Sequence, residues 1–184
     1  MTDPTVGVAI PSIPPRTELL YRALASVRGQ SYPVDQVNIA TDHRHEGAAV
    51  TRQRALDGIT TDWVFFCDDD DEFRPFHVEH LIRFAQESGA DYAFSWFDVV
   101  GGVDPFPQHF GRRYNVKEPT HTTMTVLVRT ELAKSVGFKD TPGGEDWGFT
   151  LGCIAAGAVI EHLPERTWIY HHDSKNTSGR PDRW

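Results

Sequence analysis

The sequence of 184 residues lacks the features that mark several classes of protein. Its two cysteines, Cys67 and Cys153, match neither a CxxC pair nor a zinc-site spacing, and both lie in apolar stretches typical of buried free thiols. Its apolar runs are shorter than the roughly 18 residues of a membrane span, and no signal-peptide pattern follows Met1. We therefore expect a cytoplasmic protein without an integral membrane segment.

Positive charge is also scarce. The chain carries 18 basic against 26 acidic residues, a net charge of -8, and it has no long basic run. This argues against a protein that binds the phosphate backbone of nucleic acids. The acidic balance still allows a nucleotide ligand, provided that a metal ion lies between its phosphates and the carboxylates. With 39% hydrophobic residues and scattered proline and glycine, the composition is that of a globular domain.

Short apolar runs alternate with helical patterns, which predicts a single α/β domain with a mostly parallel sheet. The run Val6–Ile10 predicts a strand stopped by Pro11, and the spacing of apolar residues predicts a helix over Thr17–Arg28. A third apolar run, Trp63–Cys67, predicts a buried strand. Further strands are predicted over 37–40, 92–100, 122–128, 159–160 and 167–170, and further helices near 48–56, 75–88, after 130 and over 145–156.

Five acidic residues, Asp68 to Glu72, directly follow the strand that ends at Cys67. Ligands of α/β sheets bind where strands end, and adjacent carboxylates repel one another unless a cation or solvent relieves them. Their oxygen atoms favour a hard cation such as Mg²⁺ or Mn²⁺. A solvated acidic loop is the simpler alternative. An EF-hand is excluded because Phe73 replaces its turn glycine and the preceding segment is a strand.

Three other polar segments are candidate functional sites. Glu145 and Asp146 begin a helix after a glycine-rich loop, where carboxylates either cap the helix or act as a general base. The segment His171-His172-Asp173 offers imidazoles that ligate metals or are merely exposed. Asp42, after the second strand, is a candidate to accept hydrogen bonds from a nucleobase or ribose, and Arg52 is a candidate to contact a phosphate. Solvated turn residues are the simpler interpretation of this segment.

These segments occur in a familiar order. The chain reads VGVAIPS in the first strand, LASVRGQSYP at the end of the first helix, NIATDH around Asp42, RQRAL from Arg52, FFCDDDDEFRP around the acidic residues, Glu145-Asp146-Trp147, and finally EHLPERTWIYHH. In this order they resemble the motifs of family 2 glycosyltransferases of the GT-A fold, including the DXD motif and the E-D motif. Two departures stand out: Thr-Asp-His-Arg replaces the usual D-D-G-S, and Gln53 replaces an asparagine.

The resemblance implies one GT-A domain over residues 1–184, with a nucleotide-binding part up to about residue 100 and an acceptor part beyond it. It implies an inverting transfer of a sugar from a nucleoside diphosphate, UDP being the commonest in the family, to an acceptor hydroxyl on an unknown glycan, protein or small molecule. Mn²⁺ or Mg²⁺ would neutralise the leaving diphosphate.

By the same resemblance, Asp146 is the general base, with Glu145 as the next candidate, and Asp70 is a metal ligand together with His172 or His171. The residues expected to contact the nucleotide sugar are Pro11, Ser12, Arg16, Asp42, Arg52, Asp68 and Asp69. Two alternatives remain open. A metal-dependent nucleotidyltransferase or phosphohydrolase also uses clustered aspartates, although residues 11–16 lack the glycines of a phosphate loop. A non-catalytic nucleotide-sugar binder of the same fold is the other.

Overall fold

The computed structural model describes residues 3–104, 106–122 and 124–172, which form one seven-stranded sheet flanked by helices. The strands are β1 (Val6–Ser12), β2 (Gln36–Thr41), β3 (Trp63–Phe66), β4 (Glu72–Phe73), β5 (Tyr92–Val100), β6 (Val126–Arg129) and β7 (Ile160–His171). The helices are α1 (Thr17–Arg28), α2 (Ala48–Asp57), α3 (His77–Ser88), α4 (Thr130–Val136) and α5 (Glu145–Ala155), with short 3-10 helices at Pro14–Arg16 and Pro107–His109.

The strand order across the sheet is β2-β1-β3-β6-β5-β7-β4. The pairs β1–β2, β1–β3 and β5–β7 are parallel, whereas β6 runs antiparallel to both its neighbours and β4 runs antiparallel to β7. Five strands therefore point in one direction, and their last residues share one side of the sheet, which we call the carboxyl edge. The fold is the mixed, mostly parallel α/β architecture that the sequence predicts, and GT-A folds have this plan.

Aromatic side chains fill the core between the sheet and the helices. Phe66 of β3 packs edge-on against Phe138 and Phe149, whose rings stack on each other at a centroid distance of 4.4 Å. Edge-to-face and offset-stacked aromatic pairs are the favoured arrangements, because they match the negative ring face to the positive ring edge. Since Phe149 belongs to α5, this cluster fixes that helix against the strand that leads into the acidic segment.

The predicted strand boundaries differ from the observed ones by one residue at β2 and β3 and by more at three other strands. β1 continues through Pro11 to Ser12. Its pairing with β3 ends at Ala9, so the N–H that Pro11 lacks costs no hydrogen bond to β3. The two predicted closing strands are one strand, β7, with an irregular register opposite Trp96. The predicted strand over 122–128 shortens to β6 at Val126–Arg129.

None of the helices in the described ranges is both long and apolar enough to cross a lipid bilayer.

Candidate active site

The first part of the acidic segment is bound to the end of β1. Asp69 is 2% exposed and accepts hydrogen bonds from Ser12 Oγ at 2.8 Å and from Arg16 Nη1 at 2.9 Å. Arg16 Nη1 also lies 3.0 Å from Asp70 Oδ2. Burial raises the pKa of Asp69, although Arg16 and Ser12 oppose that shift by stabilising the carboxylate. Two residues predicted to contact the donor, Ser12 and Arg16, therefore lie directly against the acidic segment.

Three carboxylates of this segment converge on a common point. Asp68, Asp70 and Asp71 each offer an oxygen atom within 4.8 Å of those of the other two. Burial, and then the nearby charge of Asp68, raise the pKa of Asp70 to about 7, and the same two causes raise the pKa of Asp71 well above its usual value. Crowded, partly desolvated carboxylates of this kind suit a hard divalent cation, which would favour their ionised forms.

Asp42 lies at the end of β2, but its carboxylate binds the protein's own backbone. Its oxygens accept the backbone N–H groups of Arg44, Glu46 and Gly47 at 2.9–3.1 Å, and only 2% of the residue is exposed. Burial alone would raise the pKa of Asp42, but these three hydrogen bonds outweigh it and lower the pKa. Asp42 thus organises the loop that leads into α2.

Arg52 of α2 connects the acidic segment to the helix that carries Glu145 and Asp146. Its Nη2 lies 2.7 Å from Asp68 Oδ1, and its Nη1 donates to Glu145 Oε1. Burial would lower the pKa of Arg52, but Asp68 and Glu145 outweigh it and raise that pKa further. The residue is 8% exposed, so a permanently charged guanidinium is enclosed between two parts of the site.

The start of α5 presents Asp146 beside a glycine. Asp146 Oδ1 accepts the backbone N–H of Trp147 at 2.7 Å, which restricts the orientation of its carboxylate. Gly144 precedes the helix with a φ of 93°, and a Cβ at this position would lie 2.8 Å from Asp146 Oδ1. A glycine is required here on both counts, for its backbone conformation and for the space beside Asp146.

The two histidines at the end of β7 occupy different surroundings. His171 Nε2 lies 2.6 Å from Glu72 Oε1, and the His171 backbone N–H donates to Asp71 Oδ1 at 3.4 Å. The His172 backbone N–H instead donates to the Val100 carbonyl, and a Cβ on Gly102 would lie 2.8 Å from the His172 ring. His171 is therefore the histidine beside the acidic group, and His172 lies beside the loop after β5. Asp173, predicted with them, lies outside the described residues.

Most of the predicted site residues are joined in one network at the carboxyl edge. Its members are Ser12, Arg16, Arg52, Asp68, Asp69, Asp70 and Glu145, with Asp146 next to Glu145. Pro11 lies within β1, in register with Ala40. Sequence reasoning gave no individual role to Asp71, Glu72 or Arg22. The run of acidic residues draws attention to Asp71 and Glu72. No sequence pattern indicates Arg22, a residue of α1 whose Nε lies 3.0 Å from Glu72 Oε1.

Comparison with known proteins identifies similar chains. The model of the family described as "Glycosyl transferase family 2" matches residues 30–131, more than half of the chain. The succinoglycan biosynthesis protein ExoM of Rhizobium meliloti (strain 1021) is 26% identical over an alignment covering 72% of this chain and 47% of ExoM. This chain thus spans about half the length of that curated relative.

Solved structures of S. aureus TarS share the fold. TarS residues 1–349 in complex with UDP-GlcNAc superpose with a TM-score of 0.81 at 16% identity, covering 96% of this chain and 61% of that one. The same fragment in complex with UDP gives a TM-score of 0.74 at 15% identity, covering 93% and 61%. At this level of identity the likeness concerns the GT-A architecture.

Proposed function

The chain belongs to glycosyl transferase family 2, and on this premise we propose that it is a glycosyltransferase that uses a divalent cation to transfer a sugar from a nucleoside diphosphate to an acceptor hydroxyl with inversion. UDP is the proposed donor nucleotide. Asp146 is the proposed general base.

One observation carries this proposal: Arg52 contacts both Asp68 of the acidic segment and Glu145 at the start of α5. Arg52 thereby joins the acidic segment, proposed to hold the cation, to the start of α5, where Asp146, the proposed base, follows Glu145. A single buried side chain links them, so neither group is an isolated acidic loop or a remote helix cap. This arrangement favours catalysis over the simpler alternatives.

The donor nucleotide is proposed to bind along the ends of β1 and β2, in the first hundred or so residues. Ser12 and Arg16 lie there against Asp69, while Asp42 shapes the loop before α2. Ligands of open α/β sheets bind at such strand ends. A uridine nucleotide is supported by the likeness to TarS, whose structures contain UDP-GlcNAc and UDP.

The acidic residues present fit a divalent cation. Asp68, Asp70 and Asp71 provide three convergent carboxylate oxygens, the ligand type that Mg²⁺ and Mn²⁺ prefer. When bound, the cation would neutralise the charge that develops on the leaving diphosphate. The chain's own contribution is to hold these carboxylates close together despite their repulsion, with Arg16 fixing Asp70 and Arg52 fixing Asp68.

The acceptor hydroxyl is a very weak acid, so a carboxylate must take its proton as the new bond forms. Glu145 is already paired with Arg52, whereas Asp146 is oriented by the N–H of Trp147. We therefore assign the base to Asp146 and a structural ion pair to Glu145. The acceptor is proposed to bind against residues beyond about 100, and its chemical class is open.

The test is an incubation with a panel of UDP-sugars and GDP-sugars plus Mn²⁺, with release of nucleoside diphosphate as the readout. Mn²⁺-dependent release that EDTA abolishes and that Asp146→Asn reduces is the expected result. Release of pyrophosphate would indicate a nucleotidyltransferase instead. No product with any donor, despite nucleotide binding, would indicate a non-catalytic binder and would contradict the proposal.

A further inference from the structure

A pair of stacked aromatic rings lies beside the proposed base. The rings of His121 and Trp147, which we call the ring pair, have a centroid distance of 4.2 Å and an interplanar angle of 28°. Trp147 directly follows Asp146 on α5, whereas His121 lies in the connection between β5 and β6. His121 is exposed and Trp147 is partly exposed, so part of the ring pair faces solvent.

The geometry of α5 places Asp146 between the acidic segment and the ring pair. Successive residues of a helix point about 100° apart around its axis, so Glu145 and Trp147 point about 200° apart. Glu145 contacts Arg52, the residue that reaches the acidic segment, and Trp147 contacts His121. Asp146 therefore projects between the side where the donor and the cation are proposed to bind and a side that carries aromatic rings.

A glycine before the helix positions the indole of Trp147. A Cβ on Gly143 would lie 2.7 Å from Trp147 Cδ1 and 3.6 Å from both Cγ and Nε1. A Cβ above the ring face would be almost as close to those two atoms as to Cδ1, so Gly143 meets the edge of the indole rather than a face. Any larger residue at position 143 would displace the ring that lies beside the base.

The segment that carries His121 is fixed on both sides of the imidazole. The Thr120 carbonyl accepts the Tyr114 hydroxyl at 3.0 Å, and Thr122 Oγ1 lies 2.7 Å from the hydroxyl of Tyr92, a fully buried residue of β5. Both neighbours of His121 are thus bonded to the body of the protein, and the imidazole is held against the indole in advance. A preformed surface of this kind loses little conformational entropy when it binds a ligand.

The chemistry of this surface matches that of a sugar ring. A pyranose has a face made largely of C–H groups, and its hydroxyl groups project from the rim. Packing the C–H face on exposed aromatic rings removes apolar area from water, while a carboxylate at the side accepts hydrogen bonds from the hydroxyls. An alkyl chain would use the rings but not the carboxylate, and a serine side chain would use the carboxylate but offer no flat apolar face.

We propose that Trp147 and His121 form an acceptor subsite, and that the acceptor is a sugar whose C–H face packs on the ring pair while one of its hydroxyl groups reaches Asp146. This inference rests on the proposed function, because it takes Asp146 as the base. In the transfer, that hydroxyl oxygen bonds to the anomeric carbon of the donor, its proton passes to Asp146, and the nucleoside diphosphate leaves. Trp147 has the larger ring and contributes more of the affinity.

The first measurement is saturation-transfer NMR of the methyl glycosides of glucose, galactose, mannose and N-acetylglucosamine, with UDP and Mn²⁺ present. We expect at least one glycoside to receive saturation chiefly at the C–H protons of one ring face. Trp147→Ala keeps the backbone N–H that Asp146 accepts, and it should weaken glycoside binding about 10–100-fold, the effect of losing contact with one large apolar side chain. Trp147→Phe keeps a flat ring, so it should lose less affinity, and it serves if Trp147→Ala does not fold.

Phe76 and His80 provide a matched control. Their rings lie 4.7 Å apart at an angle of 33°, and Phe76 is exposed. Phe76 lies between β4 and α3, and β4 is separated from β3 by β6, β5 and β7. Phe76→Ala removes an aromatic contact with a histidine of the same kind, far from α5, and should leave glycoside binding unchanged.

Steady-state kinetics separate acceptor binding from the donor site. With the bound glycoside as acceptor and release of nucleoside diphosphate as the readout, Trp147→Ala should raise the acceptor KM by about 10–100-fold. The KM for the sugar donor, and the slow release of nucleoside diphosphate without acceptor, should stay close to those of the wild type. Equal changes in donor and acceptor KM would show a general distortion of the site and would overturn the inference.

The two proposals fail in different ways. If no sugar donor yields nucleoside diphosphate, the proposed transfer is wrong, and the acceptor role of the ring pair with it. If a donor is turned over but no glycoside binds, or Trp147→Ala binds glycosides like the wild type, the transfer stands and this inference is overturned. Transfer to a serine-containing peptide but to no glycoside would overturn it as well.

Discussion

Arg52 is the side chain on which the arrangement of the site most depends. It is almost fully buried, yet it stays charged because Asp68 and Glu145 both contact it. A buried charge with two charged partners is costly to disturb, since removing it leaves desolvated carboxylates without compensation. Arg52 therefore has a structural role as well as a place beside the proposed donor site.

Replacing Arg52 by glutamine should lower the free energy of unfolding by about 1.5–3 kcal/mol, the range for hydrogen bonds to charged groups. Arg54 on the same helix is the control, because it pairs with Glu46 at 2.6 Å while 42% of its side chain is exposed. Arg54→Gln should cost less than about 1 kcal/mol. Denaturant titration of both variants provides the measurement. Equal losses in the free energy of unfolding would show that Arg52 stabilises the protein no more than the exposed Arg54 does.

Asp70→Asn should raise the melting temperature when no divalent cation is present. Burial, followed by the charge of Asp68, raises the pKa of Asp70 to about 7, so its ionised form is disfavoured in the fold despite Arg16. Near pH 8 the neutral amide relieves that repulsion. The same change should abolish the stabilisation that Mn²⁺ gives the wild type. Thermal melts in EDTA and in Mn²⁺ test both effects. If Mn²⁺ raises the melting temperature of Asp70→Asn as much as that of the wild type, Asp70 is not a ligand of the cation.

Asp146→Asn should lower kcat by roughly 10²–10⁴-fold, the usual contribution of a general base. The amide oxygen can still accept the Trp147 N–H, so the helix start and the affinity for the donor should change little. Glu145→Gln serves as the comparison, because it removes the negative charge paired with Arg52 and should mainly reduce stability. If Glu145→Gln abolishes turnover while Asp146→Asn is active, the two roles are reversed.

Helix α3 joins the sheet through a buried histidine at its first position. His77 Nδ1 lies 2.6 Å from Thr167 Oγ1 of β7, and its ring lies 4.1 Å from that of Phe73. Burial, with a smaller effect from His80, lowers the pKa of His77 to about 3. The contact between this helix and the sheet thus requires a neutral imidazole.

That requirement makes stability depend on pH. Between pH 6.5 and about 3 the unfolded chain protonates His77 while the folded chain does not, so acid favours unfolding. This contribution is fully present above pH 6.5 and is lost as the pH falls, by about 1.4 kcal/mol per pH unit. His77→Gln should lack it, so the stability difference between wild type and variant should shrink in acid. A constant difference from pH 7 to pH 4 would show that His77 titrates normally.

The elements are predictable from sequence where local patterns decide them. The apolar spacing of Thr17–Arg28 and the run Tyr92–Val100 give α1 and β5 their observed bounds. Tertiary context decides the others. The pairing of β5 with β7 makes one strand of two predicted ones, and β4 is a two-residue strand that exists because it pairs with β7. No local sequence pattern predicts either of these strand pairings.

For the molecule as a whole, the order of motifs predicts the fold and the carboxyl edge as the place of the site. Residues from distant segments, such as Ser12, Arg52 and Glu145, meet there because five strands point the same way. The sequence does not distinguish His171 from His172, whereas in the structure His171 lies beside Glu72 and Asp71 and His172 bonds to Val100. Nor does it show that Asp42 would bind backbone N–H groups.

The most direct measurement is a crystal structure of the protein with UDP and Mn²⁺, using anomalous diffraction to locate the manganese. We expect one Mn²⁺ peak within coordination distance of Asp70, bridging to the diphosphate, with the uridine lying along the ends of β1 and β2. Asp146 should face the opening on the acceptor side. A nucleotide bound elsewhere, or a manganese peak away from the acidic group, would contradict the account.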